Sequence, residues 1–139
     1  MRKVFADTVY WIAIVKPGDS HAAVAQKARR LLGSCIIVTT DEVLSEFVTA
    51  IGTKGGPVLR AKAVETVKRI LANANVRVVM QSRESFLNAL ELFSQRPDKG
   101  YSLTDCSSMN VMKAEKIAEI LTNDHHFEQE GFKILIDPR

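Results

Sequence analysis

The stretch Cys35-Ile36-Ile37-Val38-Thr39-Thr40-Asp41-Glu42 passes from a continuous apolar run to residues that often start a helix. Four consecutive apolar residues are typical of a central strand in a parallel sheet, where both faces are buried. Thr39 and Glu42 have the spacing of a capping box, so we expect a helix to follow and to run to about Ile51. The stretch therefore predicts one strand–helix unit of an α/β protein.

Further apolar runs and helix signals lie on both sides of this unit. Because strands alternate with helices, the pattern predicts a three-layer α/β/α sandwich around a five-stranded parallel sheet with right-handed crossovers. The other predicted strands are residues 4–6, 76–80, 117–121 and 133–136, and the other predicted helices are residues 9–15, 20–32, 57–73, 83–95 and 105–114, the last two capped by Ser82 and Thr104.

The composition is that of an ordinary globular protein. With 139 residues, 46% hydrophobic and 25% charged, the chain is expected to form a single domain over residues 1–139. A net charge of +3 permits an anionic partner without requiring one. Two distant cysteines, and the lack of a signal-peptide-like start or an apolar run of about 18 residues, lead us to expect a cytoplasmic protein without membrane contact.

Two acidic residues directly follow predicted strands. Asp7 comes after the first strand, and Asp124 comes after the fourth. Because ligands of open α/β sheets bind outside the carboxyl ends of the strands, these two side chains are expected at the same edge. The alternative is that each acid caps the helix that follows it, which Asp does well.

Asp105 lies on the apolar side of its predicted helix. It shares that side with Met109 and Met112. An unpaired carboxylate facing a core is costly, so Asp105 needs a cation, hydrogen-bond donors or a solvent-filled cleft. The alternative is a first-turn acid stabilised by the helix dipole, but this leaves the apolar side unexplained.

Glu46 borders the apolar face of the helix that starts near Asp41, whereas Glu42 already has a role in the predicted cap. The alternative is that Glu46 lies at the rim of the apolar face and extends its carboxylate into water. If the four acids converge, their repulsion would destabilise the metal-free fold, and a hard divalent cation such as Mg²⁺ or Mn²⁺ would remove that cost. Such an ion acidifies a water that can attack phosphorus and offsets charge on phosphate oxygens.

These acids lie within four motifs that resemble those of PIN-domain proteins, and within that family those of VapC-type toxins and their relatives. The third and fourth motifs are the most specific, and the likeness spans nearly the whole chain. The motifs are Val4-Phe5-Ala6-Asp7-Thr8, residues 40–47, Ser102-Leu103-Thr104-Asp105-Cys106-Ser107-Ser108, and Thr122-Asn123-Asp124-His125-His126-Phe127 followed by Gly131-Phe132.

The resemblance implies a metal-dependent ribonuclease with a five-stranded parallel sheet. It implies cleavage of single-stranded RNA that leaves a 5′-phosphate and a 3′-hydroxyl. The implied metal and catalytic residues are Asp7, Glu46, Asp105 and Asp124, with supporting hydroxyls from Thr8 and Thr122. It also implies an antitoxin partner, docked on an apolar patch that we expect at Val9, Trp11, Ile12 and Ile14, and a homodimer.

Basic and imidazole side chains near the acids are candidate RNA contacts. Arg96 and Lys99 lie on the turn before Asp105, where they could hold phosphates without reading bases. His125 and His126 are expected at the surface or against RNA, because two adjacent histidines rarely reach one ion and Mg²⁺ prefers oxygen.

Two other functions compete with the ribonuclease. A non-catalytic PIN scaffold would bind RNA or protein without cleaving, but the complete set of four acids counts against it. A phosphoacceptor receiver-like domain would need an acceptor Asp after the third strand. Met80 is instead followed by Gln81 and Ser82, which counts against a receiver.

Overall fold

A computed structural model of the chain describes residues 1–137 and contains a five-stranded parallel sheet with the strand order β3-β2-β1-β4-β5. The predicted α/β fold is therefore confirmed. The elements are β1 (Lys3–Ala6), α1 (Thr8–Val15), α2 (Ala22–Leu32), β2 (Ile36–Thr40), α3 (Asp41–Lys54), α4 (Gly56–Ala72), β3 (Val76–Val79), α5 (Arg83–Gln95), α6 (Leu103–Glu115), β4 (Glu119–Leu121), α7 (His126–Gln129) and β5 (Lys133–Ile134).

Strand β1 is at the centre of the sheet. Its residues Val4, Phe5 and Ala6 are fully buried, as expected for a strand covered on both faces. Phe5 pairs with Val38 of β2 on one side and with Ile120 of β4 on the other. The burial of these apolar side chains is the main contribution to the stability of the sheet.

The order of the strands creates a crevice beside β1. The chain adds β2 and β3 on one side of β1 and then β4 and β5 on the other side. A switch of this kind separates the loops that leave the two neighbouring strands and opens a ligand site between them. The backbone N–H of Asp7 donates to the carbonyl oxygen of Leu121 at 3.3 Å, so the ends of β1 and β4 are held together at this crevice.

The cap of α3 differs from the prediction. Thr40, and not Thr39, accepts the backbone N–H of Val43, at 3.1 Å. Thr39 belongs to β2, where its hydroxyl donates to the carbonyl oxygen of Ala6 at 2.9 Å and accepts the indole N–H of Trp11 at 3.4 Å. Pairing with β3 extends through Thr40, so the strand ends later than its apolar run does.

The cap of α6 also differs from the prediction. Ser102, and not Thr104, accepts the backbone N–H of Asp105, and the Asp105 carboxylate accepts the backbone N–H of Ser102, both at 3.0 Å. This reciprocal pair is a capping box, so the helix begins at Leu103. Asp105 thus has a local structural role in addition to its position at the crevice.

The predicted apolar patch on α1 is wrong in part. Trp11 is buried, with 5% of its surface exposed, because its ring lies against Tyr10 and its indole N–H reaches Thr39. Ile14 is exposed, and Val9 and Ile12 are partly buried. Within residues 1–137, no helix combines the length and the apolar character needed to cross a bilayer.

Candidate metal-binding active site

Asp7 is the most deeply buried acid of the crevice. It follows β1, and only 7% of its surface is exposed. Its carboxylate accepts the hydroxyl of Thr122 at 2.9 Å. Burial raises the pKa of Asp7 to about 7, and the charges of Asp105 and Glu46 add to this, although hydrogen bonds from the Thr8 backbone and Thr122 oppose it. The ionised form of Asp7 is therefore disfavoured unless a nearby cation offsets its charge.

Asp105 enters the same crevice from the first turn of α6. Burial is the largest cause that raises its pKa, and the charge of Asp124 adds to it, while the Ser102 backbone and His126 act in the opposite direction. Asp105 therefore does cap the start of α6, as in the alternative interpretation, but it also faces the crevice. The cap holds one carboxylate oxygen, and the crevice keeps the group near other acids.

Asp124 lies in the loop after β4. One of its oxygens accepts the backbone N–H of His126 at 2.9 Å, and its own N–H donates to the Thr122 hydroxyl at 3.2 Å. The first of these bonds turns the chain into α7, a short helix that the sequence analysis does not predict. The Thr122 hydroxyl thus donates to the Asp7 carboxylate and accepts the backbone N–H of Asp124, so it helps to position both acids.

Glu46 completes the set from the exposed side of α3. All four predicted acids line one cavity of about 400 Å³, whose other walls include both supporting threonines, Thr8 and Thr122. The structure therefore brings together every predicted metal-binding and supporting residue. These side chains come from the segments that follow β1 and β4 and from the helices α3 and α6.

Two acids of this cavity and the neighbouring His126 offer donors for a divalent cation. One ligand atom each from Asp105, Asp124 and His126 lies within 4.8 Å of the others. The hydroxyl oxygen of Thr8 and Nδ1 of His126 are buried and have no hydrogen-bond partner in the structure of residues 1–137. Buried polar atoms without a partner are rare, and carboxylates at this spacing repel each other, so a cation would resolve both costs.

His126 and Glu42 are the residues at the site that sequence reasoning assigns differently. Nδ1 of His126 lies 3.2 Å from an Asp124 oxygen, whereas His125 pairs with Glu128 outside the cavity. Glu42 does not serve the cap of α3. Its carboxylate accepts the hydroxyl of Ser107 on α6, and its other oxygen is buried without a hydrogen bond from residues 1–137.

A second cavity, of about 530 Å³, adjoins the first, because Glu46 lines both of them. It lies between α3, α5 and α6, and its walls include Glu42, Phe86 and Ser107. Glu42 and Glu46 are four residues apart and therefore lie on one face of α3. This spacing is the sequence signal that could have predicted Glu42 beside Glu46 at the site. The cavity offers room beside the acids for part of a ligand.

The two predicted RNA-binding cations have acidic neighbours in the structure. The guanidinium of Arg96 donates to both Glu130 oxygens, at 3.0 and 3.3 Å, and Lys99 lies 3.7 Å from Asp98. Glu130 also accepts the hydroxyl of Tyr101 at 2.9 Å and the ammonium of Lys113 at 3.2 Å. Arg96 therefore anchors the turn before α6, and its contact with RNA stays a prediction.

Glu130→Gln should destabilise the protein. Burial alone would raise the pKa of Glu130, but hydrogen bonds from Arg96, Tyr101 and Lys113 outweigh it and lower the pKa to about 2. This acid therefore adds stability above about pH 4.5 that is lost as the pH falls toward 2. At pH 7 we expect a loss of about 2–3 kcal/mol, reduced from the full shift because the cations are partly exposed.

Urea denaturation at pH 7 and at pH 3 measures this difference. The matched control is Glu65→Gln, which removes an exposed ion pair with Arg69 and should cost less than about 1 kcal/mol. A Glu130→Gln protein as stable as the unmutated protein at pH 7 would show that the network is not structural.

Comparisons with known proteins agree with this architecture. The PIN domain profile matches residues 4–133. The 23S rRNA-specific endonuclease VapC20 of Mycobacterium tuberculosis, known from two strains, is 27% identical over 131 residues, which cover 93% of this chain and 95% of the relative. The crystal structure of M. tuberculosis VapC20, described as a sarcin–ricin loop cleaving toxin, superposes with a TM-score of 0.82 at 25% identity, covering 93% of this chain and 95% of that one. Because the profile match spans nearly all of the sequence, this chain belongs to the PIN domain family.

Proposed function

We propose that the protein is a divalent-metal-dependent endoribonuclease and the toxin of a toxin–antitoxin pair. The single observation that carries this is the convergence of Asp7, Glu46, Asp105 and Asp124 on one cavity at the switch point of the sheet. The likeness to a relative named as a 23S rRNA-specific endonuclease supports the choice of RNA as substrate.

The four acids would hold Mg²⁺ or Mn²⁺, with Thr8 and Thr122 as supporting hydroxyls. A divalent cation bound there would offset negative charge on the scissile phosphate and lower the pKa of a water molecule. Thr122 orients Asp7 and Asp124, and Ser102 orients Asp105, so three of the acids are positioned before any ligand arrives. Such preorganisation favours binding because little ordering remains to be done.

Asp7 would release its proton when the cation binds. Its pKa of about 7 means that much of the metal-free protein carries a neutral Asp7 at neutral pH. Because a carboxylate must be ionised to act as a ligand, metal affinity should increase with pH up to about 8. The Thr122 hydroxyl, which donates to this carboxyl group, would help to hold Asp7 in its ionised form.

The substrate and partners follow from the same family likeness. The sarcin–ricin loop of 23S rRNA is the first substrate to test, because VapC20 is described as cleaving it. An antitoxin peptide could dock beside the acids, where Val9 and Ile12 line the cavity, and we propose a homodimer as in VapC-type relatives. Arg96 and Lys99 remain proposed phosphate contacts at the edge of the site.

Purified protein should cleave RNA in the presence of Mn²⁺ or Mg²⁺, and this cleavage should stop when EDTA is added. We expect the same ions to raise the melting temperature, because they bind the native state and not the unfolded chain. The assay uses a sarcin–ricin loop RNA and whole rRNA, with the 5′ and 3′ ends of the products mapped, and a thermal melt with and without millimolar Mn²⁺.

The competing function is a PIN scaffold that binds without cleaving. It predicts RNA or protein binding that survives EDTA, no cleavage of any tested RNA, and no metal-dependent rise in melting temperature. Cleavage that continues undiminished in EDTA would instead show that the protein is a nuclease that does not depend on a metal.

A further inference from the structure

His126 has one ring nitrogen directed at the acidic cluster. Nδ1 lies 3.2 Å from an Asp124 oxygen and 3.8 Å from an Asp105 oxygen. It is buried and has no hydrogen-bond partner among the described residues, because 3.8 Å is too long for a hydrogen bond and the 3.2 Å contact is poorly aligned. A buried ring nitrogen between two carboxylates needs either a proton or a cation.

The imidazole ring is held in this orientation from several sides. The backbone N–H of His126 is fixed on Asp124, and the ring makes an edge contact with Tyr101, with centroids 5.4 Å apart. Tyr101 is in turn anchored by its hydroxyl on Glu130. Gly100 lies so close that a Cβ there would be 3.3 Å from Nε2, which would press on the ring.

The two acidic partners are held as firmly. Asp105 is fixed by the capping box at the start of α6, and Asp124 is fixed by its bond to the His126 backbone. Donor atoms on one ion lie at most about two bond lengths apart, roughly 4.4 Å for nitrogen and oxygen ligands. Because the three donors already lie within 4.8 Å of one another, small side-chain movements suffice for them to share an ion.

We propose that Nδ1 of His126 is a third ligand of the cation held by Asp105 and Asp124. This rests on the proposed metal-dependent function and concerns which metal the site prefers. A neutral imidazole suits first-row transition ions, whereas Mg²⁺ favours an all-oxygen set. The site should therefore bind Mn²⁺ and Co²⁺ in preference to Mg²⁺, with one nitrogen in the coordination sphere.

The same geometry could be occupied by a protonated His126 that forms ion pairs with the two acids. In that case the ring would stay charged and would not coordinate the ion. The two arrangements differ in one measurable property, since a directly bound nitrogen couples to Mn²⁺ much more strongly than a nitrogen of a nearby uncoordinated ring.

Pulsed EPR of the full chain loaded with Mn²⁺ tests this difference. We expect nitrogen modulation from bound Mn²⁺ in the unmutated protein. The chain has three histidines, so the double variant His21→Gln/His125→Gln leaves His126 alone and should retain the signal. His126→Gln should lose it and bind Mn²⁺ about 10–100-fold more weakly, with a change of less than about threefold for Mg²⁺.

His125→Gln is the matched control, because it changes the neighbouring residue, whose ring is paired with Glu128. Bound Mn²⁺ without nitrogen coupling in the unmutated protein would overturn the inference and leave the proposed nuclease intact. Nitrogen coupling that disappears in the double variant would overturn it too, because another histidine would be the ligand. Failure of Mn²⁺ to bind at all would overturn both this inference and the metal-dependent function. If His126→Gln does not fold, the unmutated protein and the double variant decide the question.

Discussion

Asp105→Asn should reduce RNA cleavage by about a hundredfold or more while leaving the fold intact. The amide removes one negative charge from the cluster, and loss of even a residue that only orients a metal ligand commonly costs 10–100-fold. The amide oxygen can still accept the backbone N–H of Ser102, so the capping box at the start of α6 survives. Single-turnover cleavage rates in Mn²⁺ and a thermal melt of the same sample measure the two effects.

Asp98→Asn is the matched control for this variant. Asp98 lies on the exposed turn before α6, with 76% of its side chain exposed, so the same chemical change is made outside the cavity. We expect a cleavage rate within about threefold of the unmutated protein. Unchanged cleavage by the Asp105→Asn protein would remove Asp105 from the proposed metal site, and a lowered melting temperature would assign it mainly to the helix cap.

Asp7→Asn should stabilise the metal-free protein at neutral and alkaline pH. In the native state this buried carboxyl has its pKa raised from 3.8 to about 7, chiefly because burial disfavours the charged form. Ionising it in the folded protein therefore costs free energy, and the full shift corresponds to at most about 4 kcal/mol. The asparagine oxygen can still accept the Thr122 hydroxyl, so we expect a gain of about 2–4 kcal/mol in EDTA at pH 8.

The pH dependence of this gain has a definite sign. Between pH 3.8 and about 7, native Asp7 retains its proton and the unfolded chain does not, so native stability falls as pH rises through this interval. Below it the carboxyl is neutral in both states, and the variant should match the unmutated protein. Urea denaturation in EDTA at pH 4, 5.5, 7 and 8 should show a difference that grows with pH and then levels off.

Metal should reduce the stability advantage of the Asp7→Asn protein. With Mn²⁺ present the unmutated protein gains from binding, and the Asp7→Asn protein gains less because it has lost a ligand. Asp98→Asn again serves as the control, with no pH-dependent gain expected. An Asp7→Asn protein that is no more stable than the unmutated protein at pH 8 in EDTA would show that Asp7 carries no buried charge to relieve.

Regular elements could be predicted because their signals are local. The apolar run at the start of β2 and the Ser82 cap of α5 depend on residues a few positions apart, and both are present in the structure. The caps of α3 and α6 could not be chosen in the same way. Each has two nearby hydroxyl residues, and the one that caps depends on where strand pairing or a reciprocal bond to a carboxylate places the helix start.

Convergence of the four acids could also be anticipated from general rules. Asp7 and Asp124 follow strands, whose carboxyl ends meet at one edge, and Asp105 and Glu46 were conspicuous as charges beside apolar helix faces. The structure places all four against one cavity. The partner of Arg96 could not be anticipated in this way, because its position on a turn indicated RNA and gave no sign of Glu130, which is 34 residues away.

The sequence alone determined the alternation of strands and helices, because hydrophobic periodicity acts over a few residues. It also indicated which four acids would line the cavity, because a charge beside an apolar face is costly wherever it occurs. Only the tertiary structure decided which groups share hydrogen bonds. Thr122 reaches Asp7 across 115 residues of chain, and Ser107 reaches Glu42 across 65. The direction of the His126 ring was likewise set by Tyr101, Gly100 and two acids, since contacts of a few ångströms between remote segments depend on packing.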